Sequence, residues 1–289
     1  MFSTKIISRA MMQSRRIPKN SFSTTKLREN QTALILGSNG ALGSAIASHL
    51  KQCNGNDLTI IGADVTPMRE QKGVDAFISL RGGNAEVISE DLIKGFQNLF
   101  DSKPEFDALI CANGGFAMDD SDEAENLMAM NFEPCAAACS AAILDYISED
   151  EALFVAFSAT LALKEIDDDS PMKKYIESKR DVHELVQRLG SATGKALRKS
   201  KRMEDIDLRK RYPCLNKLTA IGILPSTLDT ESNREAMKPS DEELERWTKL
   251  EQIAREIGTW MELKDLRPSS GNLVKCVTKD GMTDFIIAR

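Results

Sequence analysis

From Gln31 onward, short and almost wholly apolar runs alternate with longer segments of helical period, a rhythm that few folds accept. The runs are "TALIL", "LTIIGAD", "DAFISL", "DALICA", "ALFVAF", "LTAIGIL" and "NLVKCVT". Among them fall helix-period segments from Ala41 to Gln52, Glu90 to Phe100, Glu123 to Ile147 and Pro171 to Leu189. A strand that is hydrophobic throughout, rather than at every second residue, suits a sheet covered on both faces. The pattern therefore predicts one Rossmann-like, doubly wound α/β domain over residues 31–289, with a mostly parallel sheet and helices on both faces.

Composition narrows the function classes. Lys and Arg number 38 against 44 Asp and Glu, a net charge of −6, which argues against a general nucleic-acid footprint. The basic stretch from Lys195 to Tyr212 lacks interleaved aromatics and reads as a solvated insertion or, alternatively, a docking surface. Six scattered cysteines form no C-x-x-C pair, and only His49 and His183 could add imidazole, so reduced thiols and no metal site are expected. Cys135 and Cys139 stand one helical turn apart, which usually leaves their side chains badly placed for an unstrained disulfide. No apolar run reaches membrane-spanning length.

Residues 1–30 differ from the rest: basic and Ser/Thr-rich, with no acid before Glu29. Wound as a helix, Phe2, Ile6, Ile7, Met11 and Met12 fall near one side, opposite the cations. That composition is expected of a transit peptide and points to the mitochondrial matrix, or to the cytoplasm if it is only a basic tail.

The first apolar run opens into "GSNGALGS". Gly37, Ser38, Asn39, Gly40, Ala41, Leu42 and Gly43 form a turn between strand and helix, where missing Cβ atoms let backbone N–H groups approach a pyrophosphate at the positive end of a helix dipole. Glycine turns are common, and a flexible loop is the alternative. The next run ends in Asp64, about twenty residues on, where a carboxylate accepts from ribose hydroxyls and repels a 2′-phosphate. The expected cofactor is NADH, with NADPH less favoured.

Further on, "KYIESK" sets Tyr175 and Lys179 four apart, on one face of a helix. A phenol titrates near ~10 unless a cation favours the phenolate, and Lys179 is spaced to do that. A solvated pair is the reading for an isolated match. Here the pair follows a glycine turn, an acid-terminated strand and a fifth strand in order.

This order of motifs resembles the short-chain dehydrogenase/reductase family. "GALGS", "NGGFA" at Asn113 to Ala117, "ILPSTLDTESNREAM", "RWT" at Arg246 to Thr248 and "RPSSGNLV" at Arg267 to Val274 are similar to the branch that reduces quinonoid dihydropterins. The likeness implies NADH-dependent reduction of a pterin substrate to its tetrahydro form. Tyr175 would supply or relay a proton, and Lys179 would hold the nicotinamide ribose. Gly114 would lie against the adenine side of the cofactor, with Pro225 and Thr230 beside the nicotinamide. Phe116 and Trp247 would wall the substrate, or else be core. Asn131 matches a helix asparagine used in proton relay, with a polar kink as the alternative. The family's usual third catalytic serine lacks a clear counterpart among Ser158, Ala159 and Thr160. A homodimer is implied too, through the small-residue stretch Cys135 to Leu144, unless that packs on the domain's own sheet. Other readings are a carbonyl or quinone reductase of the same fold and a nucleotide-binding scaffold subunit.

Overall fold

The computed structural model describes residues 31–67, 73–143, 145–194, 199 and 201–288; the leader and most of the first part of the basic stretch lie outside the described residues. Seven parallel strands form one sheet: β1 (Gln31–Leu36), β2 (Leu58–Asp64), β3 (Ala76–Ser79), β4 (Ala108–Cys111), β5 (Leu153–Phe157), β6 (Thr219–Leu224) and β7 (Asn272–Lys279). Their order is β3-β2-β1-β4-β5-β6-β7, and β8 (Met282–Ile287) closes the edge antiparallel to β7. The expected α/β architecture is thus present, with all seven apolar runs as strands. β8 is an addition the apolar pattern had not suggested. Its turn, Asp280 and Gly281 with φ of 50° and 72°, is a two-residue hairpin of the kind an Asp-Gly pair favours.

Two cores flank the sheet. On one face, α1 (Ala41–Asn54) packs against the late helix Leu250–Glu262 over Ile35, Ile60, Ile110, Val155 and Ile221. On the other lie α2 (Ala85–Leu99), a broken helix over 127–143 and the long helix Lys173–Ala192. β4 and β5 are buried along their whole length, as central strands sandwiched between helices must be.

The segment expected as one helix from Glu123 to Ile147 is instead a 3₁₀ turn (Asp122–Asn126), α3 (Leu127–Asn131), α4 (Glu133–Ala138) and a π turn (Cys139–Ile143). Pro134 cannot donate a backbone bond, so it takes the first turn of a new helix rather than the interior of a continuous one. Cys135, Ala136, Ala137, Ala138, Ala141, Ala142 and Ile143 are buried within the chain, where α2 packs on this segment. Most of the small residues that suggested a dimer seam are thereby covered internally, with Cys139 and Ser140 only half-buried; Leu144 lies outside the described residues. Cys135 and Cys139 are free thiols, as are the other four cysteines. Among the described residues no helix is long and apolar enough to cross a membrane.

Candidate active site

The order of strands reverses between β1 and β4, so the crevice at their carboxyl ends is where an open α/β sheet receives a ligand. β1 delivers Gly37 there, at φ 75° and held by its N–H to Ala63 O at 2.8 Å. A Cβ on Gly43 would lie 2.2 Å from Gly37 O, and one on Gly37 2.5 Å from the Asn113 nitrogen. Both glycines are therefore required by backbone packed on backbone. Gly40 is the N-cap of α1 with no side-chain cap, and α1 has no acid in its first turn. Gly40 and Ala41 are exposed, leaving uncapped N–H groups at the positive end of a fourteen-residue helix.

Other members of the turn serve differently. Ser38 is fully buried, its hydroxyl unpartnered and packed so closely over β2 that a Cβ on Gly62 would sit 2.7 Å from it. Leu42 points into the core, so it can offer only its backbone. Asp64 accepts from Asn39 N at 2.9 Å and from Thr66 N and Oγ1 at 3.0 Å. It fixes the glycine turn to the loop after β2, and Asn39 reinforces this through its own amide to Thr66 and Pro67 carbonyls. A carboxylate with two oxygens retains acceptor capacity beyond these bonds.

The segment after β4 joins the glycine turn to the chemistry. Asn113 donates to Met130 O at 2.8 Å, and Gly115 exchanges bonds with the Asn131 side chain at 2.9 and 3.1 Å. Asn131 also donates to Ser178 Oγ at 3.0 Å, and Ser178 donates to Tyr175 O at 2.8 Å. Asn131, fully buried, is thus the tie between this loop and α5 (Lys173–Ala192). Gly114 completes the contact: a Cβ there would lie 2.9 Å from both Asn131 Oδ1 and Lys179 Nζ.

Tyr175 and Lys179 share one face of α5, with Nζ 5.9 Å from the phenol ring centroid. Phe116, itself 58% exposed, meets Tyr175 edge-on with ring centroids 5.0 Å apart. Burial pushes the Tyr175 hydroxyl up to about 12 and the Lys179 ammonium down to about 8. The expected lowering of the phenol by Lys179 is not what this geometry gives: desolvation of both groups outweighs attraction across 5.9 Å. Tyr175 is consequently a protonated phenol at neutral pH, a donor rather than a base.

Ser158 donates to Lys179 O at 2.7 Å, and Thr160 Oγ1 to Leu224 O at 2.9 Å. Both hydroxyls therefore donate to backbone carbonyls. Pro225 is buried, its carbonyl accepting from Thr160 N at 3.1 Å. Thr230 caps the short α7 (Glu231–Met237) by accepting from Asn233 N at 3.1 Å; here α6 is Met203–Arg211. Trp247 is 6% exposed, leaving almost no ring face to stack on a ligand, because 247–249 lie against 227–229. Sequence reasoning overlooked Ser178 and Asn113, although "YIESK" and "NGGF" display both.

No family model matches the chain. It is 28% identical over 261 residues to a dihydropteridine reductase of Dictyostelium discoideum, covering 89% of this chain and 98% of that protein. Among solved structures, a short-chain dehydrogenase from Burkholderia cenocepacia in complex with NADP superposes with a TM-score of 0.59 at 18% identity, over 88% of this chain and 98% of that one. A structure from Haemophilus influenza with bound NAD gives a TM-score of 0.60 at 14% identity, over 86% of this chain and 93% of that one. The chain thus resembles a dihydropteridine reductase along nearly all of its described length, and its fold is that of the short-chain dehydrogenases/reductases.

Proposed function

We propose that this protein is an NADH-dependent oxidoreductase that reduces quinonoid dihydropteridine to tetrahydropteridine. The observation that carries the proposal is the continuity of the site. The Asn113–Phe116 loop touches the glycine turn at Gly37 and the Lys179–Asn131 cluster at Gly114, so nucleotide cradle and phenol share one sheet edge. The substrate class rests on the dihydropteridine reductase relative.

The uncapped start of α1 and the exposed backbone at Gly40 and Ala41 fit a dinucleotide diphosphate. When bound, the cofactor supplies a hydride from its dihydronicotinamide ring. Asp64 would receive adenosine ribose hydroxyls, which favours NADH over NADPH. Gly114, Pro225 and Thr230 would border the rest of the cofactor, and Lys179 would hold its second ribose. Tyr175 delivers the proton that the reduced pterin ring requires, and Phe116 offers that flat ring an apolar wall. With Ser158 committed to Lys179 O, the site lacks the extra donor that polarises a ketone, and a quinonoid acceptor needs it less. The proposal extends to a homodimer, which rests on the family resemblance rather than on residues 135–143, and to import into the mitochondrial matrix, which rests on leader composition.

The test is an assay of the full chain with NADH or NADPH against freshly generated quinonoid dihydropterin and simple ketones. The expected result is fastest turnover with NADH and the quinonoid substrate. Preference for a ketone, or no pterin turnover, overturns the assignment.

A further inference from the structure

At the amino ends of β5 and β6, the sheet edge opposite the glycine turn, a cavity of about 420 Å³ opens between the end of α5, Lys217 ahead of β6 and the segment 264–270 ahead of β7. No residue of the nucleotide turn or of the Tyr175 cluster lines it. Its size lies in the range of small-molecule sites. The walls are preformed. Gly190 on α5 meets Gly271 backbone against backbone. Thr193 Oγ1 donates to Leu189 O at 2.7 Å and lies 3.1 Å from Ser270 Oγ, which accepts from Ala220 N at 2.9 Å. The end of α5, β6 and β7 are thereby locked around the opening.

Three cations line this cavity, Lys217, Lys264 and Arg267, and none is tightly matched by a carboxylate. Arg267 donates through Nε to Trp260 O and through Nη1 to Glu151 O, both at 2.5 Å, so it spends these bonds on neutral carbonyls. Its Nη2 has no hydrogen-bond partner among the described residues. Burial, only partly offset by Glu151 and Asp107, holds the guanidinium below its ordinary range. Lys264 donates to Asp150 O at 3.0 Å but reaches Glu151 Oε2 only at 3.9 Å, and Lys217 reaches Asp150 Oδ1 only at 3.7 Å. Both ion pairs are too long for a hydrogen bond. The remaining charge is negative. α5 ends at the cavity with no basic residue in its last turn, so its terminal carbonyls keep the negative pole of a twenty-residue helix, and Glu151 and Asp265 add carboxylates. A simple anion meets repulsion from these groups, and a simple cation meets the three bases.

We propose that this cavity is a second binding site, for a small zwitterion of the free α-amino acid class, its carboxylate received by Arg267 and Lys217 and its ammonium by the carbonyl end of α5. A guanidinium with an unspent N–H and a lysine with only a distant partner can take a carboxylate without first breaking a strong bond. A peptide terminus matches less well, because it carries only one of the two charges. The site does not depend on the function proposed above.

Calorimetric titration of the full chain with each common α-amino acid, up to about 10 mM, tests this. At least one is expected to bind once per chain with a Kd of about 1 mM or lower, and saturating NADH should leave that affinity unchanged. Removing either charge from that amino acid, as its carboxamide or its N-acetyl derivative, should weaken binding about tenfold or more. Lys217→Met alters a half-exposed side chain held only by a loose ion pair, so the melting temperature and NADH affinity should stay as they are while amino-acid binding weakens about threefold or more. Arg267→Lys should weaken it further, since an ammonium cannot reproduce the guanidinium fork. No binding by any amino acid tested overturns the proposal. So does competition with NADH, which would place the ligand in the other site. Equal binding of the N-acetyl derivative or of inorganic phosphate would mark an anion site instead, and binding that both variants leave unchanged would put the zwitterion elsewhere; either result overturns it too.

Discussion

Tyr175→Phe is expected to lower pterin turnover by about a hundredfold or more, the usual contribution of a positioned proton donor, while NADH binds with nearly unchanged affinity. The substitution keeps the ring, so the edge-on contact with Phe116 at 5.0 Å survives, and only the hydroxyl is removed. The neighbouring cation should set the pH dependence. Lys179 is depressed to about 8, so it is charged below that value and neutral above it. If the ammonium supports ribose and proton transfer, turnover falls as pH rises through about 8. Lys179→Met should be slow and flat across the same range. Steady-state rates from pH 6 to about 10, with NADH affinity measured by fluorescence, check both. Full turnover by Tyr175→Phe would remove the phenol from the chemistry.

The second large effect is on stability. Gly190 lies on α5 where the helix crosses the start of β7, and a Cβ there would fall 2.1 Å from Gly271 Cα and 2.3 Å from Gly271 N. Neither contact can yield like the end of a flexible side chain. Gly190→Ala must lift the helix from the sheet, disturbing Val182, Val186 and Leu189, all buried in one core. A loss of about 3 kcal/mol or more is expected, which for a domain of this size lowers Tm by about 6–12 °C. Gly258→Ala, inside the helix Leu250–Glu262, is the control: its added Cβ would lie 3.5 Å from His49, an ordinary contact, so stability should hold or rise by up to about 1 kcal/mol. Calorimetry that finds the two variants alike would contradict this account of the α5–β7 contact.

That contact also explains why some of the sequence was legible and some was not. Residues of "RPSSG" are, with "LPSTLDT", the specific carriers of the resemblance, yet they work at the sheet edge opposite the site. Arg267 donates to Trp260 O and Glu151 O, Ser270 accepts from Ala220 N at 2.9 Å, and Gly271 admits Gly190. A packing solution leaves as clear a signature as chemistry does. The strands and glycine turn could be read because burial on two faces and the close approaches at Gly37 and Gly43 each demand a residue type. The break before Pro134 was visible in principle, since a proline inside a helical pattern marks a boundary. The tie from Asn131 to Ser178 was not, because it joins residues 47 apart through a loop whose path no periodicity reveals. Desolvation of Tyr175 and Lys179 was equally hidden, as it depends on what the third dimension brings over them.

At the centre of the account stands a single site in which the glycine turn and the Tyr175 phenol serve one dinucleotide. A crystal structure of the full chain with NADH examines that most directly. The expected result is a diphosphate at the start of α1, hydrogen-bonded to backbone N–H groups around Asn39 to Ala41, with the nicotinamide beside Tyr175 and Lys179. A diphosphate bound elsewhere, or a nicotinamide out of reach of Tyr175, would contradict it.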